Sequence, residues 1–106
     1  MSEIIELTDA TFKGVLQANE VVLVDFGAEW CHPCKQVDAI VEELAEEWDG
    51  FVKVCQIDTA MNLESTIIYG IMTIPTLILF KKGVQIKRIS GAVSKKRILE
   101  TFASHI

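Results

Sequence analysis

Basic residues are scarce in this chain. Ten Lys and Arg stand against fifteen Asp and Glu, a formal net charge of −5. Nucleic-acid binding relies on clustered cations to displace counterions, so no phosphate-tracking surface is expected. The one basic run, Lys95-Lys96-Arg97, reads as a solvated helix start. Two prolines and six glycines are too few for a collagenous or low-complexity chain, and a hydrophobic half with 24% charged residues fits a soluble globular protein. No apolar run approaches the roughly 20 residues of a membrane span. The start, Met-Ser-Glu-Ile-Ile-Glu, lacks the basic and apolar regions of a secretory signal. A cytoplasmic protein without membrane association is therefore expected. With 106 residues there is material for one buried core and not for two, which implies a single domain over 1–106. Three cysteines are an odd count for a disulfide scaffold in a reducing compartment, and direct attention to chemistry at the one closely spaced pair.

What is present is a regular alternation of elements. "IIEL" at 4–7 is a short strand, and Thr8-Asp9 offers a capping oxygen before Phe12, Val15 and Leu16, spaced as one helical face. "VVLVDF" at 21–26 is apolar on both faces, as in a strand covered on two sides. From Cys34 onward Val37, Ile40, Val41, Leu44, Ala45 and Trp48 recur at helical spacing, opposite Asp38 and four glutamates. "FVKVCQI" at 51–57 is a further strand, and 59–69 a helix ending at Gly70. "TIPTLILF" at 73–80, a Lys82-Gly83 turn and "VQIKRI" form a hairpin. Ser94 then caps a last helix with Ile98, Leu99, Phe102, Ala103 and Ile106 inward. The order βαβαβαββα implies an α/β fold: a mixed central sheet, parallel where helices separate the strands and antiparallel at the hairpin, with helices on both faces.

The pair itself lies in "WCHPCK" at 30–35. Cys31 falls at the mouth of the third element's following helix, where unpaired N–H groups and the positive end of the macrodipole stabilise a thiolate. Cys34, one turn on, is placed to resolve, and Pro33 fits a first turn because its missing N–H is not needed there. A structural zinc needs four ligands, and the chain offers this pair plus Cys55, His32 and His105, so no metal site is expected. Cys55, in an apolar strand, reads as a small buried hydrophobe. Asp25, entering the motif between Val24 and Phe26, has two readings. Buried without a cation it would keep its proton to unusually high pH and could exchange it with Cys34; otherwise it only bonds the following loop.

"VDFGAEWCHPCK", then "TIPT", a "KKG" turn and "SGAVSK", in this order on this pattern of elements, resemble thioredoxin over essentially the whole chain. The resemblance implies the thioredoxin fold and the reduction of protein disulfides by dithiol–disulfide exchange, with Cys31 as nucleophile, Cys34 as resolving thiol and Asp25 as the buried proton acceptor and donor. It makes Ile74–Pro75 the family's cis-proline bond, exposing the Ile74 backbone to an extended substrate, and places Trp30, Gly91 and Ala92 on the substrate rim around an accessible Cys31. Lys35 would add positive potential beside Cys34. The family needs no cofactor of its own, works as a monomer on disulfide-containing proteins, and is recycled by a thioredoxin reductase, either a flavin enzyme using NADPH or a ferredoxin-linked one. Some members instead serve larger enzymes as binding subunits whose cysteines are incidental, and that alternative stays open.

The chain departs from the family pattern at several points. His32 stands where glycine is usual. It would favour the Cys31 thiolate and make the couple more oxidising, or remain an exposed neutral imidazole. Gly27 replaces an aromatic, Ala39 a proline, and Val54 a lysine expected near the buried acid, a loss that should raise the Asp25 pKa and slow resolution. "IMTIPT" gives a bulky approach to the proline, so a specialised choice of partners is expected.

Overall fold

The computed structural model describes residues 3–106; Met1 and Ser2 of the expected domain lie outside the described residues. The chain runs β1 (Ile5–Leu7), α1 (Phe12–Ala18), β2 (Val21–Gly27), α2 (His32–Glu47), β3 (Lys53–Asp58), α3 (Leu63–Ile68), β4 (Thr76–Lys81), β5 (Val84–Ser90) and α4 (Lys95–Phe102), closing in a 3-10 turn at Ala103–His105. The strands order as β1-β3-β2-β4-β5. β1, β3 and β2 are parallel, while β4 and β5 are added antiparallel.

The two-residue period of the strands divides the core. Val22, Val24 and Phe26 of β2, with Cys55, Ile57, Ile78 and Phe80 beside them, face Phe12 and Leu16 of α1. Phe12 stacks on Tyr69 at 4.9 Å and Phe80 meets Tyr69 edge-on at 5.3 Å. Leu23, Val54, Leu77 and Leu79 point the other way, onto Val37, Val41 and Leu44 of α2 and Ile98 and Phe102 of α4. Asp25, two residues after Leu23, therefore faces α2. The Lys82-Gly83 turn takes positive φ at both residues, 53° and 79°, as a two-residue hairpin of this twist demands. Ser94 caps α4 by accepting from the Arg97 N–H at 3.2 Å.

Several local expectations are corrected. β4 runs antiparallel to β3's direction although a helix separates them. α3 has only six residues, about 9 Å of rise, too short to carry the chain back along a strand of roughly 20 Å. β4 therefore starts at the end where β3 finishes. α3 begins at Leu63 rather than 59, and Gly70 (φ 60°) follows its end. Phe51 is exposed and precedes β3, and 73–75 precede β4. Ala103 and Ile106 are exposed because α4 tightens into the 3-10 turn after Phe102 and swings them off its apolar face. Asp9 does not cap α1. Its Oδ1 accepts from the Ser65 N–H at 2.8 Å and its Oδ2 from the Glu64 N–H at 3.3 Å, capping α3 across the molecule.

Candidate active site

β2 delivers the cysteine motif. At its last residue the Gly27 carbonyl accepts from the Thr59 N–H at 2.8 Å, and beyond it the Cys31 N–H donates to the Ala28 carbonyl at 3.1 Å, turning the chain into α2. Cys31 is the N-cap of that helix in extended conformation, and its Sγ accepts from the Cys34 N–H at 3.3 Å. A sulfur thus occupies the place where an N-cap oxygen usually satisfies a first-turn donor. An N–H and a positive helix end so placed favour negative charge at the position of Cys31 Sγ. Cys31 and Cys34 are joined in a disulfide with their Cα atoms 5.3 Å apart, inside the range that bond permits.

Access to the pair is narrower than the sequence suggested. Cys31 is 5% exposed and Cys34 1%; the pair is buried in a cluster with Ala28, and Ile74 packs against it. The expectation of an accessible Cys31 does not hold in the disulfide, where it shows only an edge. Trp30 beside it is 74% exposed, and His32, Pro33 and Lys35 are exposed on the first turn of α2.

Opposite the sulfurs, the Ile74–Pro75 peptide is cis. The Pro75 carbonyl accepts from the Gly91 N–H at 2.8 Å, and the Thr76 hydroxyl bonds the Thr73 carbonyl at 2.7 Å and meets the Ser90 hydroxyl at 2.9 Å. These bonds bring the exposed Gly91 and Ala92 to the same end of the sheet as Cys31.

Asp25 is 1% exposed. Its carboxyl is held well above the usual carboxylate range, by burial first, then by the Asp38 carboxyl beside it, with Glu6 adding to the effect and a bond from Gln56 opposing it. The Gln56 Nε2 donates to Oδ2 at 3.5 Å. Oδ1 has no partner among the described residues. A Cβ added to Gly27 would lie 3.3 Å from Cys34 Sγ and 3.9 Å from Asp25 Oδ1, so acid and inner sulfur border one gap. Val54 stands on the same face of β3, directly across from Leu23 and diagonal to Asp25, and is buried in the core, whereas the register sets Gln56 directly across from Asp25. Neither Gln56 nor Asp38 was singled out from the sequence; only the pairing of β3 with β2 and the phase of α2 reveal them.

Cys55 is buried on the opposite face of the sheet, its thiol pushed up to about 12 by desolvation, so it carries no charge at neutral pH. Among the described residues no group of three or more His, Cys, Asp or Glu is placed to hold a metal ion, and no helix is long and apolar enough to cross a membrane.

A helix-mouth sulfur bonded to a second one turn away can hand its sulfur–sulfur bond to an outside pair of thiols or take one over, and proteins built to do this are thiol–disulfide oxidoreductases. The comparisons make the class specific. The thioredoxin family model matches residues 3–104. Thioredoxin 1 of Nostoc sp. is 41% identical over the full length of both chains. Thioredoxin of Mycobacterium tuberculosis is 46% identical, covering 92% of this chain and 85% of its own. The chain belongs to the thioredoxin family and is a thiol–disulfide oxidoreductase, a family whose members work with disulfide substrates and a thioredoxin reductase.

Proposed function

We propose that Cys31 is the attacking sulfur. As a thiolate it displaces one sulfur of a substrate disulfide and forms a mixed disulfide. Cys34 then gives its proton to Asp25 and attacks Cys31 Sγ, and the second substrate sulfur leaves with the electron pair and takes up a proton. The substrate gains two electrons and two protons, and the protein keeps the disulfide. The observation that carries this reading is the N-cap bond: Cys31 Sγ receives the first-turn N–H, while Cys34 is the more enclosed sulfur. Trp30, Ile74, Pro75, Gly91 and Ala92 form the docking rim, where an extended peptide pairs with the Ile74 backbone. Pro33 stiffens the first turn, and His32 and Lys35 add positive potential near the sulfurs when charged.

The protein acts as one domain over 1–106, as a monomer in the cytoplasm, without a cofactor. A flavin reductase using NADPH, or a ferredoxin-linked one, returns the dithiol. Insulin reduction tests the assignment. Cys31→Ser is expected to abolish turnover and to form no mixed disulfide, and Cys34→Ser to stop turnover while accumulating a mixed disulfide on Cys31. Turnover retained in Cys31→Ser would overturn it, and wild type without cysteine-dependent turnover would favour the binding-subunit alternative.

A further inference from the structure

Behind the disulfide, a cavity of about 220 Å³ opens between the sheet and the start of α2. Glu6 of β1, Asp58 of β3, Asp38 of α2 and Glu29 before it line this space with Asp25, against the single cation Lys35. Asp25 is its innermost acid, and its Oδ1 is the buried oxygen left without a partner among the described residues. An ionised carboxylate needs donors around both oxygens, and here Gln56 supplies one long bond. The half-buried Asp38 lines the same cavity, and its carboxyl acts on that of Asp25. Two carboxyls bond each other only with a proton between them. Asp38 thus joins the buried acid to the solvent side of the cavity, and Gly27, where any Cβ would press on Cys34 Sγ at 3.3 Å, leaves the sulfur side open.

We propose that Asp38 is a positioning residue for the resolving step, sharing a proton with Asp25 and passing the proton taken from Cys34 out to solvent through the cavity. This rests on the role proposed above for Asp25. The Cys34 S–H bond breaks and its proton goes to the carboxyl pair; the Cys34 sulfur bonds Cys31, the substrate sulfur leaves, and Asp38 releases the proton to water. The negative charge of Asp38 makes Asp25 the stronger base, with Glu6 and Asp58 acting in the same sense from β1 and β3 and Lys35 against it. Glu29, at the edge of the motif, adds negative charge of the same sense.

Reduced protein is mixed with an aromatic disulfide in a stopped-flow instrument across the neutral pH range, where the second release of coloured thiol reports resolution. The Asp25 carboxyl is titrated in parallel by carbon NMR. In Asp38→Asn and Asp38→Ala the acid limb of the resolution rate and the Asp25 midpoint should both move down by about one pH unit, and the plateau should fall a few-fold. Asp38→Glu should restore both. A merely structural Asp38 would leave both midpoints in place. Unchanged midpoints in the folded Asp38 variants, with the limb lost in Asp25→Asn, would overturn this proposal alone. A limb that survives in Asp25→Asn would overturn the role of Asp25 and this proposal with it.

Discussion

Asp25 sits buried in the middle of the sheet with one weak donor among the described residues, so its ionisation works against the fold. A carboxyl whose folded pKa is raised contributes stability that is complete below its unfolded pKa and is lost as pH rises through the folded one. Asp25→Asn keeps the Gln56 contact and removes the charge. It should therefore raise the stability at neutral pH by roughly 2 kcal/mol, with the gain vanishing in acid; urea melts at neutral and acidic pH measure it. A buried acid at this position was legible from its apolar neighbours Val24 and Phe26. Its surroundings were not. Val54 and Gln56 lie two apart on the same face of β3, and only the hydrogen-bond register decides which stands across from Asp25. Asp38 reads as one more solvated acid of α2 until the helix is docked. Cys55 needed no such information, since its apolar strand alone fixes its burial and its inert thiol.

Among the elements, α2 was plain in the sequence because sixteen residues repeat one apolar stripe that packs on the sheet. α3 was not. Leu63, Ile67 and Ile68 are exposed, so the apolar residues of 59–69 do not mark an inward face, and the helix owes its start to a residue more than fifty positions away. Asp9 supplies that start, while Asn62 Oδ1 accepts from the Asp9 N–H at 2.9 Å, locking the two segments together. The Asp9 carboxyl is held below its ordinary range, by bonding to the Ser65 side chain first and then to the Ser65 and Glu64 N–H groups. A depressed carboxyl contributes stability above its unfolded pKa and loses it as pH falls through the folded one. Asp9→Ala should therefore lower the melting temperature at neutral pH, the difference should close in acid, and hydrogen exchange should quicken in α3 before any other helix. A uniform change across the helices would contradict this capping role.

For the molecule as a whole, the alternation of strand and helix specified a mixed sheet clad on both faces, and the hairpin specified its antiparallel margin. The direction of β4 escaped that reading because it depends on the length of α3, which local pattern overstated. That direction matters to function. Thr76 pairs with Phe26, so Pro75 arrives at the end of β2 that leads to Cys31, and two chain segments forty residues apart in sequence converge on the sulfurs. The cavity wall assembled from β1, β3 and α2 is a property of this complete arrangement, and no segment of the sequence displays it alone.

The same strand direction sends the Lys82-Gly83 turn to the remote end of the sheet, where the Lys82 N–H holds the Glu20 carbonyl at 2.7 Å. Chemistry and this turn are separated by the length of β4, which makes the turn a natural graft point. A flexible peptide spliced between Lys82 and Gly83 should leave insulin reduction within about twofold of the parent, since lengthening a surface loop adds only a small closure cost. Cargo could be carried there without obstructing the traffic of electrons at the opposite pole.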